Sequence, residues 1–112
     1  MAATPEVLVK RRVHAKLKAA GAYAVNYIGG AYANNGTPDI LACWRGRFIG
    51  IECKAGRGKP TQLQLRNLEK IEEAGGLAFI INETNVGVLD DLESARSNWR
   101  DFDRPITDPG IE

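Results

Sequence analysis

Residues 36 to 58 read GTPDILACWRGRFIGIECKAGRG, and their only acids are Asp39 and Glu52. Each stands in or beside a run that reads as a buried strand, where a carboxylate is costly unless something pairs with it. Side chains alternate along a strand, so Glu52 and Lys54 share one face, about 6.6–6.8 Å apart at the backbone. Ile49, Ile51 and Cys53 take the other face, into a core. If "ILACW" and "FIGIECK" pair as a hairpin, Asp39 lies at the end of the first strand and comes near Glu52. Two carboxylates so placed, with a backbone carbonyl and water, suit Mg²⁺, which takes about six oxygen ligands at 2.0–2.1 Å. A bound cation lets the two like charges tolerate each other, and Lys54 would set an ammonium beside it to position or activate water. The plainer alternative is an ion-pair ladder on an edge hairpin.

These residues need elements to hold them. "TPEVLVKRRVHAKLKAAG" reads as a helix with Thr4 as N-cap, Pro5 at the first helical position and Gly21 as its stop. Val9, Val13, Leu17 and Ala20 form its apolar stripe. Glu6 lies on that stripe, either as an acid aimed inward or as a helix-dipole charge in the first turn. Ala22 to Ile28 reads as a strand, and GGAYANNGT as a loop. Two strands joined by Arg45-Gly46-Arg47 follow, then the basic loop AGRGKP. TQLQLRNLEKIEEAGG reads as a second helix with Leu65, Leu68 and Ile71 inward. LAFII is an apolar strand, and a third helical pattern runs from about Val86 to Trp99. The order α-β-β-β-α-β-α predicts an α/β fold, a mixed central sheet flanked by helices. Residues 1–100 make one domain, and 101–112 a loosely held tail.

The chain has 112 residues and a net charge of +1, which hides a division. Met1 to Arg66 carries +8, and Asn67 to Glu112 carries −7. A basic half points to a phosphate-bearing partner, with Lys10, Arg11, Arg12, Lys16, Lys18, Arg57 and Lys59 as candidate contacts. An unevenly charged but merely solvated surface is the alternative. Cys43 and Cys53 read as buried free thiols. Two cysteines and the single His14 do not make a four-ligand zinc site without carboxylates. His14 reads as solvated or phosphate-facing, and Trp44 and Trp99 as core or interface. With no signal-peptide pattern and no membrane-length apolar run, the expected location is the cytoplasm of a cell or virus-infected cell.

The order Pro38-Asp39, then Glu52-Cys53-Lys54, resembles the PD-(D/E)XK nuclease signature, and its surroundings resemble the VRR-NUC (virus-type replication-repair nuclease) domain. The pattern runs from Glu6 in the first helix through Gly36-x-Pro38-Asp39 and Glu52-x-Lys54 to a basic glycine-containing loop and Gln62, spanning about Pro5 to Ile81. It departs where Lys59-Pro60-Thr61 replaces an expected serine cap, and where Gln64 competes with Gln62. The resemblance implies a restriction-endonuclease-like fold. It implies a Mg²⁺-dependent DNA endonuclease, with Mn²⁺ as substitute, in which Asp39, Glu52 and the carbonyl of Cys53 bind the metal. Glu6 would be an accessory ligand or lie behind the ligands, Lys54 would assist the attacking water, and Gln62 would hydrogen-bond water at the site or a phosphate. By analogy the substrates are branched structures such as Holliday junctions, and two symmetric nicks in such a junction would call for a two-fold homodimer. The alternatives are a nuclease on ordinary duplex or flap DNA, and a DNA-binding module without catalysis. For a dimer interface the sequence offers Tyr23, Tyr27, Tyr32 and Trp99.

Overall fold

The computed structural model describes residues 3–29 and 35–103. Helix α1 spans Pro5–Ala19, and the Thr4 hydroxyl accepts a hydrogen bond from the Val7 N–H at 3.2 Å, so the expected N-cap forms. Strands β1 (Tyr23–Asn26), β2 (Ile40–Trp44), β3 (Arg47–Cys53) and β4 (Leu77–Ile81) form one sheet in the order β1-β2-β3-β4. β1, β2 and β3 pair antiparallel, whereas β4 lies parallel to β3, so the chain crosses over between them through helix α2 (Gln62–Glu73). This is the expected mixed sheet flanked by helices, and it buries apolar side chains on both faces.

On one face Val9, Val13 and Leu17 of α1 pack against Ile40, Ile49, Ile51, Cys53 and Phe79. On the other, Leu65 and Leu68 of α2 pack with Ala78, Ile80 and Trp99. α2 covers β3 and β4, not β1 and β2. Gly50 permits that close approach: a Cβ there would lie 2.5 Å from the Ile71 Cδ1 and 3.2 Å from the Pro38 Cγ. Because α2 stops short of β2, Cys43 is exposed on the uncovered face, contrary to the buried position expected for it. Cys53 is buried as expected.

Two further expectations change. β1 is shorter than Ala22–Ile28, and the helical pattern from Val86 to Trp99 resolves into separate 3-10 helices at Val86–Asp90 and Trp99–Phe102. The chain between them, together with Asn85 just before the first, closes the outer edge of β4. Ser97 accepts from the Ala78 N–H at 2.9 Å, and Asn98 accepts from the Ile80 N–H at 2.8 Å. Asn85 and Asn98 donate to the Ile80 carbonyl at 2.9 and 3.0 Å. A continuous helix would withdraw these side chains from the unpaired backbone of the edge strand. Packing extends through Phe102 and Asp103, which pairs with Arg66; positions 104–112 of the expected tail lie outside the described residues. Among the described residues, no helix is long and apolar enough to cross a membrane.

Candidate active site

The two carboxylates meet where β2 begins and β3 ends. The Tyr27 N–H holds the Asp39 carbonyl at 2.8 Å, and the Cys53 N–H donates to the Asp39 Oδ2 at 2.9 Å. The Asp39 side chain is therefore aimed by backbone, at the end of the strand that carries Glu52. Gly36 fixes the approach. It has φ +83°, and a Cβ there would lie 2.8 Å from the Leu63 Cγ and 2.9 Å from the Asn67 Nδ2. Only glycine meets both the left-handed backbone and the contact with α2. Asn67 also donates to the Leu63 carbonyl at 2.8 Å and the Asn35 carbonyl at 3.5 Å, tying the loop to the helix.

Glu52 is 3% exposed. Its Oε2 accepts a hydrogen bond from the Gln64 Nε2 at 2.9 Å and lies 3.4 Å from the Lys54 Nζ, itself on a side chain 17% exposed. Its Oε1 is buried with no hydrogen-bond partner among the described residues. Burial, and then the charge of Asp39, pushes the Glu52 carboxyl up to about 8, against the opposing pull of Lys54. The orphan oxygen and the like-charged neighbour both favour a cation at this point. Among the described residues no group of three or more His, Cys, Asp or Glu side chains gathers as a metal site. The donor set is two carboxylates plus whatever backbone and water add, a set of hard oxygens that fits Mg²⁺ or Mn²⁺. The Cys53 thiol points into the core, and burial, then Asp39, pushes it up to about 12, so only the main chain of Cys53 faces the site.

Of the two glutamines, Gln64 contacts Glu52, whereas Gln62 is exposed at the start of α2. The reason is a capping box. The Thr61 hydroxyl accepts from the Gln64 N–H at 3.1 Å, and the Gln64 Oε1 accepts from the Thr61 N–H at 2.9 Å. With its oxygen held at the cap, Gln64 turns its NH₂ towards Glu52. The sequence carries the signal as Thr61-x-x-Gln64, with threonine in the capping role expected of serine.

Glu6 joins the cluster indirectly. Its carboxylate lies 3.8 Å from the Lys10 Nζ, which lies 3.9 Å from the Asp39 Oδ1. Lys10, expected among phosphate contacts, thus stands at the carboxylates. The other basic candidates separate: Lys16 pairs with Asp90 at 2.7 Å, while Arg11, Arg12 and Lys18 are exposed on α1. Arg57 and Lys59 are exposed on the loop after β3, where the Gly56 N–H donates to both Glu83 oxygens at 3.0 Å. His14 Nε2 lies 2.7 Å from the Asn26 Oδ1. Trp99 is buried, with its indole N–H donating to Glu72 at 2.8 Å, which removes it from the candidate interface residues. Trp44 is half-buried and donates to the Ala20 carbonyl at 3.0 Å. Tyr23 is exposed and Tyr27 half-buried, while Tyr32 lies outside the described residues.

No family model and no curated protein matches the chain. Among solved structures, a VRR_NUC domain superposes with a TM-score of 0.64 at 26% identity, covering 81% of this chain and 96% of that one. Archaeoglobus fulgidus Hjc, a Holliday junction resolvase from an archaeal hyperthermophile, superposes with a TM-score of 0.54 at 20% identity, covering 68% of this chain and 66% of that one. The resemblance carried by the motifs is thus matched in three dimensions: the chain has the fold of PD-(D/E)XK-type nucleases and is similar to the VRR_NUC domain over nearly that domain's whole length.

Proposed function

We propose that this chain is a divalent-metal-dependent endonuclease that hydrolyses phosphodiester bonds in branched DNA. The observation that carries the reading is Glu52: a buried carboxylate beside Asp39, with one oxygen held by Gln64 and Lys54 and the other without a donor group among the described residues. A structural ion pair would satisfy both oxygens. Asp39, Glu52 and the carbonyl of Cys53 would hold Mg²⁺ or Mn²⁺, with Glu6 as accessory; the ion supplies charge neutralisation at the phosphoryl oxygens and a nucleophile at neutral pH.

The protein's own groups do the rest. Gln64 locks one Glu52 oxygen, so the other keeps its direction. Lys54 is held near Glu52 and donates hydrogen bonds to the incoming water or to a non-bridging phosphoryl oxygen. The water oxygen bonds to phosphorus, one P–O ester bond breaks, and the departing oxygen takes up a proton. Lys10, between Glu6 and Asp39, offsets their charge as the phosphate approaches. Arg57 and Lys59 on the loop after β3 extend the positive surface.

Resolving a four-way junction needs two symmetric nicks, and one domain with one site makes one nick. A two-fold homodimer is the simplest solution. Apolar surface for it lies on the open half of the sheet, in a recess lined by Tyr23, Val25, Leu41, Ala42, Cys43 and Phe48. The test is to incubate the protein with linear duplex, flap, fork and four-way junction DNA under Mg²⁺, Mn²⁺ or EDTA, alongside sedimentation. The reading expects metal-dependent paired cuts in the junction by a dimer. Equal cutting of linear duplex by a monomer would remove the branched-substrate reading, and no cutting with either metal would remove the nuclease.

A further inference from the structure

The carboxylate pair stands between two lysines that reach it from opposite sides of the sheet. Lys54 lies beside Glu52 on the α2 face, with its Nζ 3.4 Å from the Glu52 Oε2. Lys10 comes from α1, which packs on the other face, and its Nζ lies 3.9 Å from the Asp39 Oδ1. The same ammonium lies 3.8 Å from the Glu6 Oε2, one turn back along the helix. Glutamate followed by lysine four residues later is the better of the two orders on a helix, because each charge also suits its end of the dipole. Lys10 is half-buried, whereas Arg11, Arg12 and Lys18 of the same helix are exposed. Asp39 thus has both oxygens engaged: Oδ2 accepts from the Cys53 N–H at 2.9 Å, and Oδ1 faces Lys10.

Charge decides what this arrangement can accept. With all groups ionised, the carboxylates of Glu6, Asp39 and Glu52 and the ammoniums of Lys10 and Lys54 leave one net negative charge. A single divalent ion turns this into one net positive charge, which one phosphodiester neutralises. A second ion would leave three positive charges crowded together before the phosphate arrives. The first ion has a place, because the Glu52 Oε1 is buried without a partner among the described residues. The gap between Glu6 and Asp39 is different. An ammonium already fills it, and the first turn of α1, which carries Glu6, adds the positive end of the helix dipole. Where two ions cleave a phosphodiester, they stabilise the attacking and the leaving oxygen between them. A fixed ammonium can supply one of those charges without taking anything from solution.

We infer that Lys10 is the built-in second cation of this site: its ammonium fills the gap between Glu6 and Asp39 that a second divalent ion would otherwise take, so the chain works with one ion. Glu6 then acts by holding Lys10, not as a ligand. With Lys54 on the other side, a phosphoryl group brought to Asp39 and Glu52 meets positive charge from both faces of the sheet.

The inference rests on the cation site of the proposed function, and counting ions separates the two. Mn²⁺ bound at pH 7 is counted from the loss of the free-ion electron paramagnetic resonance signal, up to millimolar metal. Wild type should bind one ion and Lys10→Ala two, the second more weakly. Glu6→Gln added to Lys10→Ala should return the count to one. In single-turnover cleavage, Lys10→Ala should lose about 10²–10³-fold at low Mg²⁺ and regain most of it at millimolar Mg²⁺, whereas the double variant should not recover. Two ions on the wild type, or a count of one in Lys10→Ala, overturns the inference and leaves the nuclease reading standing. No ion on the wild type overturns both.

Discussion

The two faces of β3 carry neighbouring residues to opposite ends. Cys53 points towards α1 into a closed apolar core, and Glu52 points towards α2. Both groups are almost free of solvent, and burial followed by the charge of Asp39 raises both, the thiol to about 12 and the carboxyl to about 8. The difference lies in what each faces. The Cys53 thiol packs into the apolar cluster under α1, so its high value leaves an inert thiol. Around Glu52 there are a second carboxylate, an ammonium and an amide, with one oxygen left over. Burial alone silences a titratable group; burial with an incomplete set of partners makes a site that calls for a ligand.

The contrast can be broken most sharply on the α2 face. Lys54→Ala or Asp39→Asn should lower single-turnover cleavage by about 10²–10⁴-fold while circular dichroism and the melting curve show a folded protein. On the α1 face the signature should reverse. Ile51→Ala removes a fully buried side chain and should cost about 2–5 kcal/mol of stability in urea unfolding. Its cleavage rate per folded molecule should stay within a few-fold of wild type. Cleavage lost in proportion to the site variants would mean that the two faces are not separable.

The pH dependence of stability sharpens the same comparison. In the folded, metal-free protein Glu52 keeps its proton up to about 8, whereas the unfolded chain gives it up near 4.5. Between these values the folded state binds the extra proton. The contribution of Glu52 is therefore fully present below about 4.5 and is lost as pH rises towards 8. The slope is up to about 1.4 kcal/mol per pH unit. Glu52→Gln should remove it and leave the variant more stable than wild type at pH 8 without metal. An unchanged slope would show that Glu52 titrates as an ordinary surface acid. The smallest effect belongs to Gln64→Ala, which frees the Glu52 oxygen from its amide and should weaken metal binding by about 10- to 100-fold. Gln62→Ala should leave it unaltered.

Much of this was legible before the fold was known, because it rests on local rules. Strand alternation puts Glu52 and Lys54 on one side and Cys53 on the other, and Thr4 and Pro5 open α1 as helix-starting residues do. What was not legible depends on how far one element reaches over another. Cys43 alternates as a strand residue should, but α2 ends its cover at β3, so the thiol faces outward. The stretch from Val86 to Trp99 has helical spacing, yet the unpaired edge of β4 takes Ser97 and Asn98 as hydrogen-bond partners and breaks it. Gln64 stood beside Gln62 as an alternative that the sequence left open. Its amide serves a helix cap and a buried carboxylate together, and only the placement of α2 on β3 reveals the second use.

In the proposed function Asp39 and Glu52 together hold the cation, and Glu52 must give up its proton to do so. Isothermal titration of Mn²⁺ into the metal-free protein at pH 7, repeated in buffers of different ionisation enthalpy, measures both binding and protons released. Saturable binding that releases about one proton is expected, with both signals lost in Glu52→Gln. Binding without proton release that survives in Glu52→Gln, or no binding by the wild type, would contradict it.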